Sequence, residues 1–303
     1  MRALTRRALL ALAASAPALL RASAVAVAED PLAPAIARIR PLFKPKTPAQ
    51  PGDWLAEHKE AGQTYAEFRA ITPRPAVESY STLRIVPIGS LSKGQREVLG
   101  IVQDFMKAFF GLALAIDPLV PLAGIPADAR RFQYFEGPDQ LLTTYLLNTV
   151  LMQRRQAKDA AVLGITASDL WPGPGWNFVF GQASLKERVG VWSMARNGDA
   201  DRDDMRKICA VRTVMTATHE TGHMFGIRHC IKYQCGMNGS NNSDERDRQP
   251  LEFCPECQPK LWWTLKLDPL ARSQALAAVA KRHGFERVAR DLGQQSAVLK
   301  TRT

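Results

Sequence analysis

The stretch HETGHMFGIRH, residues 219–229, predicts a metal-binding helix that is followed by a sharp turn. His219 and His223 are four residues apart, so on a helix they lie one turn apart on the same face and can bind one metal ion together. Glu220 lies beside them and is placed to act as a general base rather than as a ligand. The pattern H-E-x-x-H alone also occurs in ordinary amphipathic helices, so its meaning depends on the residues that follow it.

Gly226 and His229 complete the pattern. Gly226 can adopt a left-handed conformation that ends the helix and turns the chain, which lets His229 return as a third ligand. Three imidazoles leave the fourth position of a tetrahedral zinc ion open, and this is typical of a catalytic rather than a structural site. The sequence therefore predicts a catalytic zinc ion on His219, His223 and His229.

A second cluster of metal-ligand residues begins directly after the third histidine. Four of the five cysteines lie within residues 230–257: Cys230, Cys235, Cys254 and Cys257. Their C-x4-C and C-x2-C spacings suit a closed zinc site with four thiolate ligands. Two disulfides are the alternative, since an exported protein can form them. The short C-x2-C loop favours the metal site.

Met237 lies eight residues after His229, in the sequence CGMNG of residues 235–239. A methionine in a tight turn below a three-histidine zinc site is the Met-turn of the metzincins. A methionine near glycine more often only packs in a core, so the turn gains its meaning from the histidines before it.

The chain resembles the archaemetzincins, a family of metzincin zinc metallopeptidases, across residues 219–257. Their signature is H-E-x-x-H-x-x-G-x-x-H-C-x4-C-x-M, about seventeen residues, and then C-x-x-C; here sixteen residues separate Met237 from Cys254. Weaker similarity extends over roughly residues 83–263 and includes the block RFQY at 131–134. The resemblance implies a metallopeptidase, with aminopeptidase action as one form, and does not identify the substrate.

The resemblance also implies residue roles and two zinc ions per chain. Glu220 would be the general base, His219, His223 and His229 would hold the catalytic zinc, and the four clustered cysteines would hold a structural zinc. Some metzincins carry a tyrosine two residues after the Met-turn methionine, where this chain has a glycine. Tyr233 and Arg196 are alternative oxyanion donors, although each fits a structural role better.

Hydrophobic periodicity predicts an α/β (α+β) protein. The order of its elements and the resemblance to the archaemetzincins imply a metzincin-like zincin fold. Its parts are a twisted mixed sheet with packed helices, the zinc helix, the Met-turn and a small C-terminal lobe around the four-cysteine site. The predicted strands cover residues 83–88, 112–116, 161–165, 177–181 and 189–194, and the predicted helices cover residues 95–110, 138–161, 203–225 and 269–292. We expect the strand at 189–194 to be the edge that pairs with a substrate peptide, with an ordinary core strand as the alternative.

The N-terminus has the pattern of a signal peptide over residues 1–28, with an apolar run at 8–20 and small residues at 26–28. Its paired arginines resemble a twin-arginine signal, although the full consensus is not present, and an ordinary secretory signal is the alternative. We therefore expect export to a bacterial periplasm, with no stable membrane span after cleavage. A proline-rich linker or N-terminal extension over residues 29–80 would precede a metallopeptidase domain with a C-terminal helix at 81–303.

Composition limits the partners. The 303 residues carry a net charge of +11, and without the four arginines of the predicted signal peptide 36 basic residues face 29 acidic ones, a charge of +7. No arginine block is interleaved with aromatics, so we expect a peptide or protein substrate and no nucleic acid. A pro-segment role for the proline-rich stretch stays open, but no cysteine precedes Cys209 that could latch onto the zinc. The sequence does not indicate an oligomeric state.

The predicted function is zinc-dependent hydrolysis of peptide bonds, with Glu220 as the base. One alternative keeps both metals without turnover, as a peptide-binding protein with a vestigial site. Another is a zinc hydrolase that acts on a non-peptide amide. An intact Glu220 favours the enzyme, because a protein that only binds peptides has no need of it.

Overall fold

A computed structural model describes residues 30–71, 80–132 and 139–301. The predicted signal peptide and the residues Gln133 and Tyr134 of the similar upstream block lie outside these ranges. The contacts between residues divide the chain into two units, with the boundary between Pro31 and Leu32. All the helices, strands and sites of the described chain belong to the unit that begins at Leu32. Within the described part of the chain, none of the helices is both long and apolar enough to cross a bilayer.

Helices and strands are interspersed over residues 33–193, and in the described chain only helices follow. The helices are α1 (Ala33–Ile39), α2 (Trp54–Glu57), α3 (Tyr65–Ile71), α4 (Lys93–Phe110), α5 (Thr143–Tyr145), α6 (Asp203–Met224), α7 (Ser243–Asp247), α8 (Gln258–Leu265), α9 (Pro269–Arg282) and α10 (Glu286–Lys300). The strands are β1 (Thr82–Ile88), β2 (Ala113–Ile116), β3 (Arg130–Arg131), β4 (Gln140–Leu142), β5 (Asp159–Thr166), β6 (Asp169–Trp171), β7 (Gly181–Ser184) and β8 (Val189–Ser193).

The main sheet is mixed and has the strand order β2-β1-β5-β8-β7. Neighbouring strands are parallel except for the antiparallel pair of β7 and β8 at one edge. A second sheet joins β3, β4 and β6. This mixed α/β architecture confirms the predicted fold class.

Both faces of the main sheet are covered, which explains the apolar runs in its strands. Successive side chains of a strand point to opposite faces. Leu83 and Ile85 therefore join the core beneath α4 and α6. Val86 and Ile88 face the other way, into a core closed by a π-helical turn at Leu146–Leu151. The zinc helix of the sequence prediction is thus α6, and it lies on the same face as α4.

Two parts of the secondary-structure prediction are wrong. The predicted helix over residues 138–161 is replaced by strand β4, helical turns from Thr143 to Arg154 and the longer strand β5. The predicted strand at 177–181 begins only at Gly181, and before it Val179 forms an isolated bridge to Leu170. In both places apolar side chains pack with an irregular backbone, which a search for a fixed period does not detect.

The edge of the sheet is also not where the sequence placed it. Strand β8, which covers most of the predicted edge at 189–194, pairs with β5 on one side and β7 on the other. Its five residues are all buried, as the alternative of a core strand required. The edge is β7, whose residues are all partly exposed. The predicted final helix is divided as well: Gly284, at a φ of 67°, separates α9 from α10.

The N-terminal segment, residues 32–71, packs on the loop that follows α6. Lys46 N–H donates to Lys232 O at 3.0 Å and Gln234 N–H donates to Lys44 O at 3.0 Å. Ile36 and Ile39 pack with Trp262 of α8 and Leu299 of α10 in a small separate core. The stretch that composition marks as a proline-rich linker therefore has fixed contacts with the cysteine-containing loop and the C-terminal helices.

The approach of α4 to the start of the zinc helix gives a test of this packing. A Cβ added at Gly94 would lie 2.1 Å from Ala200 O, just before α6, whereas nothing lies within 4 Å of a Cβ at the exposed Gly100 of the same helix. We expect Gly100→Ala to raise the free energy of unfolding by about 0.5–1 kcal/mol, because alanine favours helix. Gly94→Ala should lower it by about 1–3 kcal/mol, since a backbone oxygen cannot move away. Urea unfolding of both variants checks this pair, and equal gains would show that the contact is not native.

Candidate metal centres and active-site cavity

Helix α6 carries the first two predicted histidine ligands and ends where the sequence predicted. Asp203 and Asp204 lie in its first turn, where carboxylates stabilise the positive end of the helix dipole. Gly226, at a φ of 82°, turns the chain out of the helix. Ile227 N–H then bonds back to Gly222 O at 3.1 Å, which satisfies a terminal carbonyl.

The three histidines meet at one point, which we call the imidazole cluster: His219, His223 and His229. One nitrogen from each ring lies within 4.8 Å of the others, and the Nε2 atoms of His219 and His223 are 3.0 Å apart.

Hydrogen bonds fix the orientation of each ring in the imidazole cluster. The Nδ1–H of His219 donates to Gly236 O at 2.8 Å, and that of His223 donates to Ile227 O at 2.7 Å. A neutral imidazole that donates from Nδ1 carries its lone pair on Nε2, so these bonds direct the lone pairs inward.

The protonation state of the imidazole cluster also suits a metal. Burial lowers the pKa of His219 well below its ordinary value, and the other two imidazoles lower it further. Burial lowers the pKa of His223 to about 4, with His229 as the next cause. The rings of His219 and His223 are therefore neutral at ordinary pH, which is the form that binds zinc. The donor set fits a zinc ion with an open coordination position.

The four clustered cysteines form the thiol cluster, in which all four side chains are buried. None of the four forms a disulfide, and Cys230 Sγ and Cys254 Sγ are 3.5 Å apart. A disulfide requires about 2.05 Å. Zinc–sulfur bonds of about 2.3 Å in a tetrahedron place the sulfurs about 3.8 Å apart. The geometry therefore fits the four-thiolate zinc site and not the two-disulfide alternative.

Met237 connects the two clusters beneath α6. Its side chain is fully buried, and its sulfur would lie 2.6 Å from a Cβ added at Gly222, between the two helical histidines. Cys230 N–H donates to Met237 O at 2.7 Å, so the turn is joined to the thiol cluster. This is the position that the Met-turn prediction requires.

A cavity of about 580 Å³ opens over the imidazole cluster. Its lining includes the three histidines, Glu220 and residues 181–183 of the edge strand β7. A Cβ at Gly181 would lie 3.1 Å from Glu220 Oε1, so the edge strand and the predicted base are in direct contact. Burial raises the pKa of Glu220 to about 8. A carboxyl group with a pKa in this range can exchange a proton near neutral pH.

Comparison with known proteins agrees with this geometry. The description Peptidase family M54 matches residues 139–262. Archaemetzincin-2 of Pongo abelii is 33% identical over 270 residues, covering 78% of this chain and 74% of that protein. The chain belongs to the archaemetzincin family.

Further relatives extend the comparison to structure. The archaemetzincin of Methanopyrus kandleri is 39% identical over 133 residues, covering 44% of this chain and 72% of that protein. Its crystal structure matches with a TM-score of 0.51 and 30% identity, covering 65% of this chain and all of that one. The protein described here is therefore an archaemetzincin-family zinc peptidase with both clusters that suit zinc.

The third histidine of this archaemetzincin is oriented by a residue that sequence reasoning missed. His229 Nδ1–H donates to the carboxylate of Glu60, with distances of 2.8 and 3.1 Å to its two oxygens. Trp54 Nε1–H donates to the same carboxylate at 3.0 Å, and its ring lies edge-on to His229. Both residues come from the N-terminal segment. In the sequence, aromatic and acidic residues follow the proline-rich stretch, but they form no known motif that would have predicted a contact with His229.

The indole of Trp54 also lies against Gly239, two residues after the Met-turn methionine. A Cβ at Gly239 would be 2.5 Å from Trp54 Cδ1, so a larger side chain does not fit there. The N-terminal segment therefore occupies the space that a tyrosine at this position, as in some metzincins, would need.

Replacement of Glu60 should weaken metal binding at one cluster only. A carboxylate that accepts from a ligand imidazole fixes its tautomer and raises its basicity. We expect Glu60→Gln to lower zinc affinity at the imidazole cluster by roughly tenfold to a hundredfold, with the thiol cluster unchanged. Competition against a chelator measures both sites in one titration. Glu57→Gln, three residues earlier, is the matched control; a loss of the same size there would contradict a specific role for Glu60.

The other predicted polar residues do not converge on the cavity. Arg131, from the similar upstream block, donates to the backbone oxygen of Asn177 at 2.9 Å and so has a structural role. Arg196 forms an ion pair with Asp169, and Tyr233 bridges to Pro45 of the N-terminal segment. Neither of the two suggested oxyanion donors lines the cavity. Cys209 is fully buried in the core, where it packs as a small apolar side chain.

Proposed function

We propose that this chain hydrolyses peptide bonds at the imidazole cluster, with His219, His223 and His229 holding a zinc ion and Glu220 acting as the general base. The convergence of three oriented Nε2 atoms beside Glu220, in a cavity bounded by a strand edge, supports this most directly. A zinc ion bound there supplies a Lewis acid and lowers the pKa of water towards neutrality.

Glu220 transfers the proton in the proposed mechanism. Its carboxylate accepts the proton of the attacking water and returns it to the amine that leaves. The contact with Gly181 restricts the position of the carboxylate, because the close approach of the backbone leaves no room for a side chain there. Glu220 is not one of the residues that would hold the zinc ion, so its carboxylate remains free to exchange a proton.

The edge strand β7 positions the substrate. Its inner side pairs with β8 from Gly181 to Ser184, and in the described chain its outer side pairs with no strand. An extended peptide adds to such an edge through backbone hydrogen bonds. Because Gly181 touches Glu220, a peptide on this edge presents a backbone carbonyl close to the base and the imidazole cluster.

The thiol cluster has a structural role in the proposal. It joins the loop after α6, through Cys230 and Cys235, to the start of α8, through Cys254 and Cys257. The second zinc ion would thereby fix the turn that contains Met237 beneath the imidazole cluster. A closed four-thiolate site leaves no position for a substrate.

Aminopeptidase action is the finer form of the proposal. An enzyme of that kind needs a negative group for the free amine of the substrate, and the carboxylate of Glu57, on the N-terminal segment, lies in the cavity lining. Export to a periplasm, through the signal peptide at residues 1–28, remains part of the proposal. Sequencing of the mature N-terminus from the native host checks the export, and a chain that still begins at Met1 would contradict it.

A peptide library decides the activity. The zinc-loaded chain is incubated with the library in free and N-acetylated forms, and products are identified by mass spectrometry with Glu220→Gln as control. Cleavage only of free N-termini supports an aminopeptidase, and cleavage of both forms supports an endopeptidase. Binding without cleavage would instead favour the vestigial peptide-binding protein, and the absence of both would favour a non-peptide amide as substrate.

A further inference from the structure

Arg246 places a positive charge inside the active-site cavity. It lies on α7 and only 4% of its surface is exposed, yet it lines the same cavity as His219 and Glu220. A buried charge is costly unless other groups compensate it.

The partners of Arg246 are neutral. Its Nη1 donates to Thr216 Oγ1 at 3.3 Å and its Nη2 donates to Asn197 Oδ1 at 3.0 Å. The carboxylate of the next residue, Asp247, is paired with Arg212 instead. Among the described residues no carboxylate lies within ion-pair distance of Arg246, so the chain provides no direct counter-ion.

The guanidinium keeps unused hydrogen-bonding capacity. It has five N–H donors. Two of them serve Thr216 and Asn197, and the buried Nε is without a partner in the described chain. The ring of Phe180, 4.0 Å away, lies over the guanidinium and also lines the cavity. Burial lowers the pKa of Arg246 to about 10, so the group remains charged at neutral pH.

The location of Arg246 relates it to the scissile bond. Thr216 lies four residues before Glu220 on α6, which is about 6 Å along the helix axis. Phe180 immediately precedes Gly181, which touches Glu220. An extended peptide advances about 3.3 Å per residue. The guanidinium is therefore within reach of the residues that flank a bond held at Glu220.

We propose that Arg246 binds a carboxylate of the substrate next to the scissile bond, so that the enzyme prefers acidic peptides. The planar guanidinium fits a carboxylate with two parallel hydrogen bonds. Such an anion supplies the missing counter-ion and accepts from the N–H groups of Nη1 and Nη2 that Thr216 and Asn197 leave free. The carboxylate belongs either to an aspartate or glutamate side chain or to the C-terminus of a short peptide. This inference rests on the proposed peptidase function.

Two peptide series distinguish the sources of the carboxylate. The first has amidated C-termini and differs only by glutamate or glutamine at each position beside the cleaved bond. The second lacks acidic side chains and differs only by a free or amidated C-terminus. We expect kcat/KM to be roughly tenfold to a hundredfold higher for the charged member of one series, the usual effect of a hydrogen bond to a charged group. Equal rates within both series would overturn the proposal.

The variant Arg246→Gln should abolish this preference by slowing cleavage of the charged peptide. Arg248→Gln is the matched control, because it also removes a positive charge, only two residues further along the chain. The side chain of Arg248 pairs with Asp53 and does not line the cavity. Thermal unfolding reports whether each variant folds. If Arg246→Gln does not fold, the preference of the unsubstituted enzyme for the charged peptides still tests the proposal. An unchanged preference in a folded Arg246→Gln would assign Arg246 a structural role beside Phe180.

A binding measurement separates this inference from the proposed function. Calorimetry with the Glu220→Gln variant measures affinity for the glutamate and glutamine peptides without turnover. Tighter binding of the charged member, lost when Arg246→Gln is added, supports the inference even if no peptide is cleaved. Cleavage without any preference for charge would leave the peptidase function in place and refute the role of Arg246.

Discussion

Replacement of Glu220 by glutamine should reduce kcat/KM for peptide cleavage by roughly a hundredfold to ten-thousandfold, the usual contribution of a positioned general base. Glutamine retains the size of the side chain and its contact with Gly181. Its amide does not accept the proton of the attacking water. The zinc content and the thermal unfolding of the variant should match those of the unsubstituted chain, because Glu220 is not among the ligand residues of either cluster.

Three measurements on this variant check the assignment: initial rates on a confirmed peptide, zinc per chain and the melting temperature. Glu187→Gln, on the turn between β7 and β8, makes the same chemical change outside the cavity lining and serves as the control. Loss of zinc from the imidazole cluster would show that Glu220 is a ligand. Unchanged rates would show that another residue is the base.

Cys254→Ser should have the largest effect on stability. Cys254 is fully buried within the thiol cluster, and its backbone N–H also donates to Cys235 Sγ at 3.2 Å. Structural zinc sites contribute about 10–16 kcal/mol of binding free energy, which acts as folding free energy. At about 2 °C of melting temperature per kcal/mol for a chain of this size, loss of the site corresponds to a fall of roughly 20 °C.

The imidazole cluster should respond differently. We expect His229→Ala to abolish activity while lowering the melting temperature by only a few degrees, because an open site contributes less to the fold. Cys209→Ala controls for the loss of a buried thiol, since Cys209 is buried on α6 away from both clusters. Calorimetry with parallel zinc analysis checks all three variants. Equal falls for Cys254→Ser and His229→Ala would contradict the separate roles of the two clusters.

The metal centres could be predicted because their geometry is local. His219 and His223 are related by one helical turn, Gly226 determines the return of His229, and the cysteine pairs have ligand spacing. Each of these relations depends on a few neighbouring bonds, so a spacing in the sequence becomes a spacing in space. The parallel core strands were predicted for a similar reason: strands buried on both faces appear as continuous apolar runs.

The edge strand and the surroundings of the site could not be predicted from spacing. Gly181–Ser184 is short and partly exposed, whereas the more apolar Val189–Ser193 resembles an edge only in its position before α6. Strand order depends on pairing between distant segments, which composition does not record. Glu60, which orients His229, and Arg246, which lines the cavity, both lie outside the motif, so only the folded chain shows their relation to the site.

The contact between Glu60 and His229 has a consequence for the order of events during synthesis. The two residues are separated by 169 positions in the chain. Because the ribosome adds about 5–20 residues per second, Glu60 is synthesised roughly 10–30 s before His229. The contact of Glu60 with its partner therefore forms only after His229 has been synthesised. A chain that stalls before His229 lacks the third histidine and has no active centre.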